Sequence, residues 1–187
     1  LYEVITHHSQ HIAVFGAGHV ANALIPIIAQ LPLQVHWIDN RENLFPKEVP
    51  ANVTCHLSEE PAFELEDLPP ESWILVMTHN HQLDFDIVLK ALQLNSFGFV
   101  GMIGSETKAR RFKKRLQHRE LSKNQIEQLV SPVGDLNIPG KRPVEVAISI
   151  AAQLTQLLHK SEQQNHPADA DKQTLWSATR EIEPQIK

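Results

Sequence analysis

The stretch that decides the fold is Val14-Phe15-Gly16-Ala17-Gly18-His19-Val20-Ala21. Val14 and Phe15 end a short apolar run that begins at His11. An apolar run that stops at a glycine is typical of a buried parallel strand. The glycines fit the pattern G-x-G-x-x-G/A, with Ala21 in the last position. Gly16 permits a tight turn, Gly18 lets a phosphate approach the backbone, and Ala21 lets the following helix lie close to the strand. The stretch therefore predicts a strand, a glycine turn and a helix.

The segments that follow complete a βαβ unit. Residues 20–30 have apolar side chains at helical spacing, with a slight kink expected at Pro26, and residues 33–38 form a second apolar strand. Asp39 ends that strand, where an acidic side chain of a dinucleotide-binding domain meets a ribose or another hydroxyl group. The N-terminus of the helix offers N–H groups and a partial positive charge to an anion.

The rest of the chain continues to alternate between strands and helices, which predicts an α/β fold: a Rossmann-like three-layer domain with a mostly parallel sheet. We expect this domain to occupy residues 11–160. Residues 1–10 would be the lead-in from an upstream domain, and residues 161–187 a polar tail that is disordered or docks on a partner. The further predicted elements are strands at 52–55, 73–77 and 97–103, a surface connection at 59–71, and helices at 83–94, 106–119, 122–129 and 143–159.

The composition narrows the class of protein. Of the 187 residues, 42% are hydrophobic and 21% are charged, as in ordinary globular domains. The net charge of −5 gives no reason to expect binding to nucleic acid or to an anionic membrane, and no apolar run has the length of a membrane span. We therefore expect a cytoplasmic protein. The single cysteine, Cys55, excludes an intrachain disulfide, and we interpret it as a small buried residue rather than a sulfur carrier.

A second glycine turn, Gly101-Met102-Ile103-Gly104-Ser105, joins a predicted strand to a basic helix. Its amides and the Ser105 hydroxyl offer a second place for an anion. We interpret most of the charges on the helix as a solvated face. Lys108 is the exception, because one turn into the helix it is close enough to reach a phosphate held by the turn.

The segment Thr78-His79-Asn80-His81, with Asp84 beyond it, lies just past a predicted strand end, where open α/β sheets bind ligands. Three interpretations are open: ligand contact, loop structure with helix capping, and a metal site. Ligand contact is favoured and no metal is predicted, because His79 and His81 with one distant carboxylate match a standard metal site poorly. His19 in the first turn either bonds a ligand or is an exposed residue at a helix start. No catalytic residue is predicted.

Taken in order, these segments resemble the C-terminal domain of the XdhC family of xanthine dehydrogenase accessory proteins. The T-H-x-H and G-x-I-G-S-x-x-K segments are much more specific than the first glycine motif. The residues that carry the resemblance are Val14 to Val20, Asp39-Asn40-Arg41, Met77 to His81 with Asp84, Gly101 to Ser105 with Lys108 and Phe112, Pro132-Val133-Gly134, and Pro143 to Ile150.

The resemblance implies a protein that binds the molybdenum cofactor while a cysteine desulfurase installs its terminal sulfido ligand, and then delivers it to apo-xanthine dehydrogenase. Such proteins look more like chaperones than enzymes, and they tend to self-associate. The predicted ligand residues are Gly16, Gly18, His19, Asp39, Arg41, Thr78, His79, His81, Gly104, Ser105 and Lys108.

Two other functions fit the residues. The first glycine motif and Asp39 favour an NAD(P)-dependent oxidoreductase, although the sequence offers no second region for a substrate. The other is a regulatory module that senses a nucleotide or dimerises through the domain, because a fold does not determine a function.

Overall fold

The computed structural model describes residues 9–134 and 137–165. In this part of the chain no helix has the length and apolar character that a membrane span requires. Short 3-10 helices at Glu42–Leu44 and Pro61–Glu66 follow the second and third strands. The other elements are β1 (Gln10–Phe15), α1 (His19–Ile28), β2 (Leu33–Asp39), β3 (Val53–Leu57), β4 (Trp73–Val76), α2 (His81–Leu94), β5 (Phe99–Met102), α3 (Glu106–Gln117), α4 (Lys123–Glu127), β6 (Leu129–Val130) and α5 (Pro143–Asn165).

The strands form one six-stranded sheet in the order β3-β2-β1-β4-β5-β6. Every pairing is parallel, so the predicted Rossmann-like α/β fold is confirmed, with a sheet that is wholly rather than mostly parallel. The order reverses at β1 and β4, which are neighbours in the sheet although β2 and β3 come between them in the chain. In open sheets of this kind, ligands bind at the carboxyl ends of the strands beside such a reversal.

Two apolar layers cover the sheet and fix the direction of each strand's side chains. Ile12 and Val14 of β1 enter the layer shared with α1 and α5. Ala13 and Phe15 enter the opposite layer, with α2 and α3. This alternation follows from the two-residue period of a strand. The first glycine turn therefore follows a central strand, β1, whose two faces are both covered by helices.

The structure corrects the predicted ends of two helices in the C-terminal half of the chain. Leu129 and Val130 pair with β5 as a sixth strand, whereas the helix was predicted to continue to 129. Backbone pairing with β5 and burial of Leu129 in the sheet take the place of a further helical turn. Helix α5 continues to Asn165 rather than 159, since Lys, Glu and Gln are good helix formers even in a polar segment. The predicted domain end at 160 therefore falls inside a helix. Residues 1–8 of the predicted lead-in and 166–187 of the predicted tail lie outside the described residues.

Three histidines form a row across β1, β2 and β3. His11 Nδ1 lies 3.0 Å from His36 Nε2, and His36 Nδ1 lies 3.4 Å from His56 Nε2. Burial, followed by the neighbouring His11 and His56 rings, lowers the pKa of His36 below its ordinary value of 6.5. The row is therefore built around a neutral His36 at pH 7.

Candidate functional site

The predicted ligand residues lie in four segments at the carboxyl edge of the sheet. Because β1 and β4 are adjacent, the turn after β1 and the segment after β4 are separated by one strand spacing, roughly 5 Å. The turn after β5 lies one strand further, roughly 10 Å from the first turn. The four segments carry Gly16, Gly18 and His19 after β1, Asp39 and Arg41 at the end of β2, Thr78, His79 and His81 after β4, and Gly104, Ser105 and Lys108 after β5.

The first glycine turn is locked in place by its neighbours. The Gly16 N–H donates to the Ile38 carbonyl at 2.7 Å, and the Trp37 indole N–H donates to the Gly16 carbonyl at 2.9 Å. Gly16 has a φ of +115°, and a Cβ at this position would overlap the Met77 carbonyl group. Gly16 is therefore required by the fold, since no larger residue fits between β2 and β4.

Gly18 is a glycine for a different reason. Its φ of −79° suits any residue, and a Cβ at this position would meet no atom within 4 Å. The described chain therefore leaves open space in front of Gly18, where a ligand would approach the backbone. Gly18 is also the N-cap of α1 and provides no side-chain cap, whereas Asn80 and Ser105 cap α2 and α3. An uncapped helix start of this kind favours an anion.

Asp39 lies beneath this turn and is paired with Arg41. Its Oδ2 accepts from the Ala17 N–H at 2.6 Å and from Arg41 Nη2 at 2.8 Å, and its Oδ1 accepts from the Arg41 N–H and Nε, each at 2.9 Å. Burial alone would raise the pKa of Asp39. The hydrogen bonds from Arg41 and Ala17 and the Arg41 charge outweigh burial, so the pKa of Asp39 lies below its ordinary value. Asp39 is therefore ionised and holds Arg41 beside the turn.

Asp84 connects two of the predicted segments. Its Oδ1 accepts from the Thr78 N–H at 2.9 Å and from Thr78 Oγ1 at 2.8 Å. Its Oδ2 accepts from Lys108 Nζ at 2.7 Å, and the same ammonium group donates to the Ile103 carbonyl at 3.2 Å. The carboxylate is buried. Lys108, predicted to reach a phosphate, thus lies against its own turn with Asp84 as counter-ion.

The histidines of the site are exposed. His19 begins α1, His79 lies in the loop after β4 and His81 begins α2. The His81 side chain is 81% exposed, and its Nδ1 lies 3.8 Å from Asp84 Oδ2. Within the described ranges, no three His, Cys, Asp or Glu side chains are arranged to hold a metal ion. The three imidazoles are therefore accessible to solvent at the carboxyl edge of the sheet.

Two polar side chains at the sheet edge, Ser105 and Asn80, cap the helices that follow them. The Ser105 Oγ accepts from the Lys108 N–H at 3.2 Å as the N-cap of α3. The Asn80 Oδ1 similarly accepts from the N–H groups of Gln82 and Leu83 at 2.8 and 3.3 Å, so capping is the observed role of Asn80. On α3 itself, Arg110, Arg111 and Lys114 are exposed, as predicted for a solvated face.

Sequence reasoning placed Asp84 near the 78–81 segment but did not predict its bonds to Thr78 and Lys108, and it gave Trp37 no role in the site. Asp84 had a usable signal, because it precedes Ile87 and Val88 by three and four residues and so shares the buried face of α2. A carboxylate on such a face needs a partner. The bond from Trp37 to the glycine turn carried no comparable signal, since Trp37 looks like any other core residue of β2.

The family model described as the XdhC Rossmann domain matches residues 12–154 of this chain. The uncharacterized protein YqeB of Escherichia coli strain K12 is 30% identical over 149 residues, which cover 78% of this chain and 27% of YqeB. The chain therefore spans about a quarter of the length of this curated relative.

Two solved structures are similar to this fold. A xanthine dehydrogenase from Bacillus halodurans superposes with a TM-score of 0.67 at 30% identity, over 81% of this chain and 43% of that chain. A Rossmann-fold NAD(P)-binding family protein from Shigella flexneri superposes with a TM-score of 0.52 at 15% identity, over 83% of this chain and 89% of that one. The second likeness concerns the fold alone.

Proposed function

The chain belongs to the family of the XdhC Rossmann domain, and from this premise we propose that it binds the molybdenum cofactor and delivers it to xanthine dehydrogenase. It holds the cofactor while a cysteine desulfurase installs the terminal sulfido ligand. The chain then acts as a cytoplasmic chaperone rather than as an enzyme, and its partners are the desulfurase, the apo-dehydrogenase and a second copy of itself.

The observation that carries the proposal is the open space in front of Gly18. An uncapped helix begins there, and Arg41 lies beside the same turn, bonded to the carboxylate that also receives the Ala17 N–H. Amide donors, a helix N-terminus and a guanidinium group together suit an anion. The molybdenum cofactor is an anionic, hydroxyl-rich pterin, so the residues present fit the proposed ligand.

The remaining residues of the site would hold the rest of the cofactor. His79 and His81 are exposed donors and acceptors beside the first turn, and Thr78 is fixed behind them by Asp84. Lys108 and the amides around Gly104 form the other flank. When bound, the cofactor supplies the redox centre that the dehydrogenase uses. This chain has to bind, shield and release it, which requires hydrogen bonds and charge but no catalytic group.

The test is equilibrium binding of isolated molybdenum cofactor to the purified chain, with NADH titrated in parallel. Stoichiometric cofactor binding and negligible NADH binding are expected. The bound cofactor should also activate apo-xanthine dehydrogenase faster than free cofactor does. Tight NADH binding without cofactor binding would overturn the proposal in favour of an oxidoreductase. Binding of the dehydrogenase with neither small molecule would favour a regulatory module.

Variants at the sheet edge test the placement of the ligand. The double variant His79→Ala/His81→Ala should weaken cofactor binding about a hundredfold or more, because each of the two lost hydrogen bonds to a charged ligand costs about 1.5–3 kcal/mol. His118→Ala is the matched control, since this exposed histidine follows α3 at the end away from the second turn. Equal affinities for the double variant and the control would exclude the histidines from the site.

A further inference from the structure

We infer that the end of β2 selects ligands that carry a phosphate group there, through Arg41, and that Asp39 does not accept a ribose diol. This inference rests on the proposed ligand site and specifies its chemistry. The position of Asp39 alone suggests the opposite, because an acidic residue at this point of a dinucleotide-binding domain usually bonds the ribose hydroxyls.

The first argument for this inference is that the hydrogen-bonding positions of Asp39 are already occupied. An ionised carboxylate has about four lone-pair positions for donors. Here four donors occupy them: the N–H of Ala17 and the backbone N–H, Nε and Nη2 of Arg41. The side chain of Asp39 is only 2% exposed. A diol would therefore have to displace a charge-assisted bond and gain access to a buried carboxylate.

The second argument is that Arg41 is more exposed than Asp39. The Arg41 side chain is 37% exposed, so an approaching ligand meets the cation before the carboxylate behind it. The bonds to Asp39 use two of the five N–H donors of the guanidinium group, through Nε and Nη2. The others suit a phosphate, whose oxygens match the planar donor geometry of arginine.

The third argument is that the Asp39–Arg41 pair lies against the first glycine turn. The Asp39 Oδ2 bonds both Arg41 Nη2 and the Ala17 N–H, so the guanidinium group and the first glycine turn flank one oxygen atom. The open space at Gly18 and the uncapped start of α1 follow directly in that turn. Charge and amide donors thus belong to one anion-binding region, and Asp39 is the residue that positions Arg41 within it.

NADPH and NADH are suitable probes, because they differ only in the 2′-phosphate that would lie at the end of β2. Their binding is measured by fluorescence for wild type, Arg41→Gln and Arg41→Ala, with circular dichroism to confirm folding. Wild type should bind NADPH at least tenfold more tightly than NADH. Arg41→Gln keeps a donor for Asp39 but removes the charge, and should lose that preference. Arg41→Ala also uncovers Asp39, and should bind NADH more tightly than wild type does.

Arg119→Ala, which removes an exposed arginine beyond α3, should leave the ratio unchanged. The same variants are titrated with the molybdenum cofactor, and Arg41→Gln should weaken its binding about tenfold. An unchanged NADPH-to-NADH ratio in both Arg41 variants overturns the inference. So does a wild type that binds neither nucleotide and whose cofactor affinity does not depend on Arg41. A phosphate preference without cofactor binding would leave the inference standing and overturn the proposed function alone.

Discussion

Lys108 Nζ donates to Asp84 Oδ2 over 2.7 Å and thereby ties the turn after β5 to the helix that follows β4. The lysine side chain is 16% exposed and the carboxylate is fully buried. The other carboxylate oxygen holds both polar groups of Thr78, so a single side chain fixes two of the four segments of the site. The positions of Thr78 and Lys108 at the sheet edge are therefore fixed by Asp84 within the chain itself.

Replacing Asp84 by asparagine should destabilise the fold strongly. The neutral amide would leave the largely buried Lys108 without a counter-ion, and breaking one partner of a buried pair costs about 3–5 kcal/mol. Urea denaturation of Asp84→Asn measures the loss. Asp86→Asn is the control, because Asp86 lies on the same helix but is exposed and bonds only Gln82 among the contacts described for it. It should cost less than about 1 kcal/mol. Similar midpoints for the two variants would show that the Asp84–Lys108 pair does not support the fold.

The two glycines of the first turn should respond in opposite ways to alanine. Gly16→Ala forces a Cβ into the Met77 carbonyl at a positive φ and should cost several kcal/mol, on the order of 3 or more. Gly18→Ala meets open space at an ordinary φ and should change the free energy of unfolding by about 1 kcal/mol or less. It should nevertheless weaken binding of the molybdenum cofactor, because the methyl group occupies the approach to the backbone. An unchanged cofactor affinity in Gly18→Ala would place the ligand elsewhere.

The fold could be predicted from the sequence because its signals are local. The apolar run before Gly16, the helical spacing after it and the strand ending at Asp39 each specify their own element, and parallel topology follows from their alternation. Strand β6 could not be predicted in this way, since its two residues are held by pairing with β5 and not by any pattern of their own.

The site could be predicted only as a set of segments. The position of a strand end shows which residues reach the edge of the sheet, but not which of them bond one another. Asp39 and Lys108 were both expected to meet a ligand. In the structure Asp39 bonds the Ala17 N–H and Arg41, and Lys108 bonds Asp84. Lys108 and Asp84 lie 24 residues apart on separate turns, and spacing along the chain does not encode their contact. Arg41 follows Asp39 by two residues, but this spacing alone does not show that the guanidinium group bonds the carboxylate.

Cys55 should react slowly with alkylating reagents. It lies half-buried in β3 and packs against the core layer of α1 and α5, and burial raises the pKa of its thiol above the ordinary value. Because the thiolate is the reactive form, iodoacetamide at pH 7.5 should modify native Cys55 more slowly than free cysteine, and unfolding in urea should abolish the difference. Cys55→Ala should keep cofactor binding unchanged. Rapid native alkylation, or loss of sulfuration in Cys55→Ala, would instead make this thiol a candidate sulfur carrier.

His36 should make the stability of the chain dependent on pH in the mildly acidic range. Its pKa is lowered in the folded state by burial and by the His11 and His56 rings, so the unfolded chain binds the proton more readily. Stability therefore rises with pH through this window and is lost as the pH falls below about 6.5 towards the folded-state pKa. Glu64, whose Oε2 lies 3.8 Å from His56 Nδ1, is the acidic group at the far end of the row.

The measurement is the urea midpoint between pH 7.5 and 5.5 for wild type, His36→Asn and His118→Asn. Wild type and His118→Asn, which alters an exposed histidine, should lose stability in parallel as the pH falls. His36→Asn removes the group that resists protonation, so its midpoint should change less over the same range, even if its stability at pH 7.5 is lower. Parallel curves for all three proteins would show that proton uptake by the histidine row does not limit the stability of the sheet.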